Sequence, residues 1–204
     1  MAKIGWGKIL AGAAAAAAAG AAYVYLRQRA ARVPLHETLL AESGFEIRRY
    51  PELSVIETDQ YGSRDRALGN GFGLLAVYMF GEGREGEEIP ITMPVLAESL
   101  ADGGWRIRFL LPLDLDRAAL EPPGAGVSIG ALPARDVAVV SVPGKPSDRA
   151  FSTRANELRR WLKARGLSAT EAPEHAYYNS PLKPGTSLPN ELFLPLEAAL
   201  DGTP

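Results

Sequence analysis

Residues 45–111 carry a strand–strand–helix–strand–strand pattern. Apolar and polar side chains alternate over residues 45–50, which is the period of a strand with one buried face. Ser63 is a typical helix N-cap and Gly81 a typical helix stop, so the segment between them is predicted to be a helix. The other predicted strands of this half are Leu53 to Thr58, Ile89 to Val95 and Trp105 to Leu111.

Residues 127–194 repeat this order of elements. The pattern predicts a helix from Ser147 to Arg165, and landmarks recur at a nearly constant offset: Pro51 with Pro133, Gly62 with Gly144, and Gly81 with Gly166. We therefore predict an internal duplication whose two helices cover a curved, mainly antiparallel sheet in an α+β architecture. The predicted strands of this half are Val127 to Ile129, Val137 to Val142, Tyr177-Tyr178 and Leu192 to Leu194.

The two predicted helices differ in their composition. The second has a simple apolar stripe opposite a basic exterior, as expected of a core helix. The first also has an apolar stripe but contains Gly69, Gly71 and Gly73, which cost roughly 2–3 kcal/mol of helix propensity relative to alanine. Two interpretations remain open: the glycines allow close packing on the sheet, or they thin the helix surface so that a flat ligand approaches the backbone.

The N-terminal segment Ile9 to Leu26 is uncharged and rich in alanine. As a helix it measures about 27 Å, close to the hydrocarbon thickness of a bilayer. Trp6 precedes it, Tyr23 and Tyr25 lie at its end, and basic residues flank both sides. We predict a single N-terminal transmembrane helix within residues 1–32, in contact with the lipid bilayer through residues 9–26, and one domain over residues 33–204.

Two alternatives to this membrane anchor stay open. The basic start and the small residues Ala19 to Ala22 are also typical of a secretory signal peptide that is cleaved. An alanine-rich helix outside any membrane is the other alternative. The expected location is a membrane with one pass, and the nearly balanced flanking charge gives no orientation.

The composition of the chain excludes several types of functional site. The chain has 204 residues, a formal net charge of −2 and no cysteine, which excludes disulfides, thiolate metal sites and covalent haem attachment. The charge balance gives no indication of nucleic-acid binding. Only two histidines occur, and no zinc-protease motif, nucleophile elbow or phosphate-binding loop is present. We therefore expect a binding protein rather than an enzyme.

Six motifs follow one another along the chain: Phe45-Glu46-Ile47-Arg48-Arg49-Tyr50-Pro51, Phe72-x-x-Leu75-x-x-Tyr78-Met79-x-Gly81, Ile91-Thr92-Met93-Pro94-Val95, Phe109-x-x-Pro112, the segment Val137 to Gly144, and Asn190-Glu191. In this order and spacing they resemble the SOUL haem-binding family over about residues 35–196. Pro189 is a departure, because the family usually has an arginine before Asn190-Glu191.

The resemblance implies that the duplicated unit forms a distorted antiparallel β-barrel with two packed helices. It also implies non-covalent binding of haem or a related tetrapyrrole in an apolar groove, as a carrier, buffer or sensor. Kinship with effector-binding domains of transcription regulators keeps open a module for another amphipathic small molecule. A protein-interaction domain without a small ligand, held at the membrane, is the third hypothesis, and its protein partner is not predicted.

If a porphyrin binds, it needs apolar walls and cations for its propionates. The predicted cofactor-binding residues are on or near the first helix, where Arg64 or Arg66 would meet a propionate. His36 is the predicted axial iron ligand, with His175 as the alternative. Apolar residues in such positions are more often part of the core, and arginines are common on the surface, so both alternatives stay open for these candidates. The predicted wall consists of Leu68, Phe72, Leu75 and Met79.

Overall fold

The computed structural model describes residues 36–81, 88–143, 147–170, 172–178 and 189–200. They form nine strands, two helices and a short 3-10 turn at Arg117–Ala119. In chain order the elements are β1 (Glu37–Glu42), β2 (Phe45–Tyr50), β3 (Leu53–Gln60), α1 (Arg64–Met79), β4 (Thr92–Ser99), β5 (Trp105–Leu110), β6 (Ser128–Leu132), β7 (Arg135–Val142), α2 (Asp148–Lys163), β8 (Glu174–Tyr177) and β9 (Asn190–Pro195).

All nine strands belong to one sheet, in the order β1-β2-β7-β9-β8-β4-β5-β3-β6, and every described pair is antiparallel. Apart from β1, this order is symmetric. If β2, β3, β4 and β5 are exchanged with β6, β7, β8 and β9, the result is the same order read from the other end of the sheet. The sheet therefore has a pseudo-two-fold axis between β4 and β8, beside the Leu96–Ala176 pair. This symmetry confirms the predicted duplication of a ββαββ unit.

The predicted closure of the sheet into a barrel is wrong. The sheet ends at β1 and β6, and no pairing between these two edges occurs among the described residues. The reason lies in how the repeats associate. Each repeat pairs its first strand with the other repeat, β2 with β7 and β6 with β3, which moves β2 and β6 to opposite ends. β1 then extends the β2 end further instead of closing the sheet.

β1 itself was not predicted, because residues 33–44 lack a regular strand period. A bulge between Thr38 and Leu40 interrupts the alternation along β1. The strand is nevertheless fixed to β2 by the two-residue turn Ser43-Gly44, in which both residues have positive φ. Positive φ at both central positions is typical of the type I′ hairpin turn. The edge of the sheet is therefore a hairpin whose first strand the sequence pattern did not indicate.

Both helices lie on the same face of the sheet. α1 packs on β3 and β5, and α2 packs on β7 and β9. Phe72 of α1 meets Phe109 edge-on, with ring centroids 5.0 Å apart. On the other side of the axis, the Phe151 ring of α2 lies parallel to His175 at 3.8 Å. The apolar stripes predicted for the helices therefore face the sheet: Leu68, Phe72, Leu75 and Met79 in α1, and Phe151, Ala155, Leu158 and Leu162 in α2.

The three glycines of α1 have different roles: one allows close packing on the sheet, and two lie on the outer surface of the helix. A Cβ atom on Gly71 would lie 2.7 Å from Cγ1 of Ile107, so this glycine allows α1 to approach β5 closely. A Cβ on Gly69 or Gly73 would have no other residue within 4 Å. Gly71 is therefore a packing residue, whereas Gly69 and Gly73 leave the outer surface of α1 thin.

The opposite face of the sheet carries a second buried cluster with ion pairs beside it. Arg48 donates two hydrogen bonds to the Glu191 carboxylate, at 3.0 and 2.8 Å, and the Tyr178 hydroxyl donates to the same carboxylate at 2.6 Å. Burial next to Glu191 raises the pKa of Tyr178, so its hydroxyl remains a donor. The apolar residues of the cluster are Tyr50, Leu53, Val55, Leu96, Leu110, Leu132, Val137, Val139, Ala176 and Phe193.

Among the described residues, no helix is long and apolar enough to cross a membrane. The span predicted at residues 9–26 lies outside them.

Candidate functional site

The outer surface of α1 is an uncharged strip that ends at one cation. No acidic or basic residue occurs between Ala67 and Gly81. The strip is exposed along its length, and Leu74 and Val77 keep 37% and 44% of their surface in contact with solvent. From Gly69 to Val77 it extends about 12 Å. We call it the α1 strip and define it as Arg66, Gly69, Asn70, Gly73, Leu74 and Val77.

The α1 strip is flat because two of its members have no side chain. Gly69 and Gly73 are one helical turn apart, with open space where their Cβ atoms would be. Leu74 and Val77 stand beside them as the apolar side chains of the strip. Such a surface suits a planar apolar group better than a compact polar one.

The connection between β5 and β6 flanks the same helix. The Tyr78 hydroxyl donates to the backbone carbonyl of Glu121 at 2.6 Å. This bond fixes part of residues 111–127 beside α1, next to the side on which Leu74 projects. The strip therefore has a neighbouring segment on one side.

The two candidate arginines have different environments. Arg64 is buried, lies 2.5 Å from Asp148 of α2, and places its guanidinium 5.1 Å from the Phe151 ring centroid. It therefore connects α1 to α2. Arg66 is exposed, and within the described part of the chain its side chain makes no hydrogen bond or ion pair. Arg66 is thus the cation at the strip that remains available to an anionic group.

The structure does not bring His36 to α1. Its ring lies 5.2 Å from Tyr50, which belongs to the cluster on the opposite face of the sheet. His36 also precedes β1 at the far edge, whereas α1 covers β3 and β5. Axial ligation of an iron on the α1 strip by His36 would therefore require a rearrangement of the N-terminal part of the domain.

His175 lies under α2, on the buried side of the helices. Burial and the nearby Arg64 cation lower the pKa of His175 to about 3, so the imidazole is neutral. Its stacking against Phe151 leaves the ring enclosed. Among the described residues, no group of three or more histidines, aspartates and glutamates is arranged to hold a metal ion.

The residues predicted as an apolar wall face the sheet rather than the strip. Leu68, Phe72, Leu75 and Met79 are buried between α1 and the strands. Their contact with a ligand stays a prediction. The sequence analysis missed Asn70, Leu74 and Val77 as site candidates, although an uncharged outer face on a helix was a readable signal.

A duplicated ββαββ sheet with two helices on one face defines a class of small α+β domains. The sequence profile of the SOUL heme-binding protein family matches residues 32–195, and the chain belongs to that family. The match covers most of the chain and confirms the resemblance carried by the motifs. SOUL proteins are a binding family, in agreement with the expectation of a binding protein.

Several solved structures share the fold. A hydrolase from Listeria innocua superposes with a TM-score of 0.56 at 12% identity, covering 78% of this chain and 94% of that one. The C-terminal domain of EcmrR gives a TM-score of 0.55 at 14% identity, covering 80% and 98%. An uncharacterized conserved protein from Listeria innocua gives 0.51 at 11%, covering 76% and 93%. These likenesses concern the fold alone. The search of curated proteins gave no significant match.

Proposed function

We propose that the protein binds haem or a related tetrapyrrole non-covalently on the α1 strip. The observation that carries the proposal is the flat, uncharged surface at Gly69 and Gly73, which ends at Arg66, a cation without a polar partner among the described residues. Membership of the SOUL family supports the same ligand class.

The residues of the α1 strip would contact different parts of the tetrapyrrole. One face of the macrocycle would lie over Gly69 and Gly73, with Leu74 and Val77 in contact with its apolar edge. Arg66 would pair with a propionate near the N-terminal end of α1, where the helix dipole also favours negative charge. Covering a few hundred Å² of macrocycle at about 25 cal/mol per Å² contributes several kcal/mol before the costs of binding.

On the α1 strip, recognition depends on the macrocycle and its carboxylates. No histidine, methionine or tyrosine side chain belongs to the strip as defined. Metal-free porphyrin is therefore a ligand of the same site. Bound haem would supply an iron centre, and the residues of the strip would orient the macrocycle and exclude water from one of its faces.

Titration of residues 33–204, a compact unit, with haemin tests the proposal. We expect a saturable Soret change at micromolar haemin. Metal-free protoporphyrin should bind with an affinity within about threefold, because the strip offers no strong iron ligand. His36→Ala should leave both affinities unchanged, since His36 lies on the other face of the sheet.

Other results would support the alternatives. Stabilisation by unrelated hydrophobic compounds without any Soret change would indicate a module for another amphipathic ligand. Absence of both responses would leave an interaction domain. A large loss of haemin affinity in His36→Ala, with protoporphyrin binding unchanged, would instead restore His36 as the iron ligand.

We also propose that residues 9–26 anchor the protein in a membrane as a single N-terminal helix. The length of the uncharged segment and its flanking aromatic and basic residues support this. The full chain should sediment with membranes and resist carbonate extraction, whereas residues 33–204 should be released from membranes by carbonate. A mature chain that begins near Tyr23 by mass spectrometry would replace the anchor with a cleaved signal peptide.

A further inference from the structure

The outer surface of α2 carries three cations that have no acidic partner within the part of the chain that the structure describes. Arg149, Arg160 and Lys163 are exposed and follow one another along the side of α2 that points away from the sheet. Thr153 and Asn156 lie between them, so no carboxylate interrupts the row. These five residues are called the α2 stripe, and from Arg149 to Lys163 it measures about 21 Å.

The charge of the α2 stripe is not neutralised locally. Within the described residues, the side chains of Arg149 and Lys163 make no hydrogen bond or ion pair, and Arg160 contacts only its own helix, at the Asn156 carbonyl. The acidic residues of α2 already have partners. Glu157 pairs with Arg154 at 2.8 Å, and Asp148 lies 2.5 Å from Arg64. Since the whole chain has a formal net charge of −2, the stripe is a local feature.

The surfaces of the two helices, taken together, indicate which chemical class of partner could bind to this side of the domain. α1 and α2 cover the same face of the sheet and are connected by the Arg64–Asp148 pair, so the α1 strip and the α2 stripe are exposed on the same side. This side combines partly exposed aliphatic side chains, Leu74 and Val77, with the cations of the α2 stripe. A lipid surface can contact both kinds of side chain, because aliphatic groups enter the membrane interface while cations approach the lipid phosphates.

We propose that this side of the domain docks on an anionic lipid surface through the α2 stripe. An acidic protein or a nucleic acid would use the cations but would leave the aliphatic side chains of α1 against water. Docking also turns the α1 strip toward the bilayer, from which an amphipathic ligand can transfer without crossing bulk water. The proposal does not depend on the identity of that ligand or on the predicted anchor.

The full chain offers a direct test because it contains no cysteine. Thr153→Cys places an environment-sensitive fluorophore in the middle of the α2 stripe. Ser128→Cys places the same dye at an exposed position on the opposite face of the sheet, by the register of β6 with β3. With vesicles of phosphatidylcholine and phosphatidylglycerol, the dye at position 153 should shift to the blue and the dye at position 128 should not.

Charge variants measure the contribution of the stripe. Each of Arg149→Gln, Arg160→Gln and Lys163→Gln should raise the anionic lipid needed for the half-maximal shift roughly fivefold. High salt should weaken binding in the same way. Arg117→Gln, which removes one exposed cation beside β6, is the matched control and should have no effect.

Four results would overturn the proposal. They are an absent shift at position 153, an equal shift with pure phosphatidylcholine vesicles, an unchanged response in all three charge variants, and a shift with soluble polyglutamate but not with vesicles. The last would assign the stripe to an acidic protein. Because no tetrapyrrole is used, each of them leaves the haemin titration as an independent result.

Discussion

Replacement of both open glycines, Gly69→Gln together with Gly73→Gln, is expected to make the domain more stable while it weakens haemin binding at least about tenfold. Glutamine is a much better helix former than glycine, so the pair should raise the free energy of unfolding by about 1–2 kcal/mol. The new side chains meet no other residue, because both Cβ positions are open. They do occupy the surface on which we place the macrocycle. Urea unfolding and haemin titration of the same sample measure the two effects.

Damage to the fold would lower both the free energy of unfolding and the affinity for haemin. A higher free energy of unfolding together with a lower affinity therefore indicates that the binding surface itself has changed. The matched control is Thr153→Gln, an exposed position on α2, which should leave haemin affinity unchanged. If the double variant is more stable and still binds haemin with the original affinity, the α1 strip is not the site. The buried residues Leu68, Phe72, Leu75 and Met79 would then be the next candidates.

Removal of one buried carboxylate, Glu191→Ala, is expected to lower the free energy of unfolding by about 3–5 kcal/mol. The Arg48 guanidinium would lose both of its hydrogen bonds to Glu191 while staying largely enclosed. The Tyr178 hydroxyl would lose its acceptor in the same step. Arg48 keeps its bond to Glu46, but that carboxylate is more exposed and compensates only in part. Urea unfolding gives the magnitude.

An exposed ion pair provides the comparison. Glu157→Ala breaks the pair with Arg154 on the surface of α2 and should cost less than about 1 kcal/mol. A second variant, Glu191→Leu with Arg48→Met, should recover much of the lost stability, because an apolar replacement leaves no unpaired buried charge. A loss below about 1 kcal/mol for Glu191→Ala would show that water or a new partner reaches Arg48.

The parts of the fold that depend on short sequence segments were predictable. The alternation along β2, the caps at Ser63 and Ser147 and the recurring prolines and glycines are properties of short segments, and they predicted the duplicated unit. The closure of the sheet depends on which strands of different repeats pair, for which no short segment carries a signal. β1 escaped prediction for a related reason, because its bulge removes the two-residue period on which strand prediction relies.

The sequence indicated the helix that carries the candidate site but not the residues of its exposed surface. The glycines identified α1 as the unusual helix, and the structure gives them two roles, with Gly71 in close packing and Gly69 and Gly73 at the surface. Arg64 and Arg66 are two positions apart, which places them on different sides of the helix. Their spacing does not indicate that Arg64 pairs with Asp148 of α2, a contact between distant parts of the chain. His36 was separated from α1 by strand pairings that join distant parts of the chain.

The pairing of β2 with β7 and of β6 with β3 means that neither half of the chain is complete without the other. A single ancestral repeat with this geometry would have been an intertwined homodimer, in which each subunit lent its first strand to its partner. Joining two such genes would preserve the dimer as one chain and allow the two halves to differ in sequence. The two helices of this chain do differ, because α1 has an uncharged outer surface and α2 a cationic one, a combination that two identical subunits would not have.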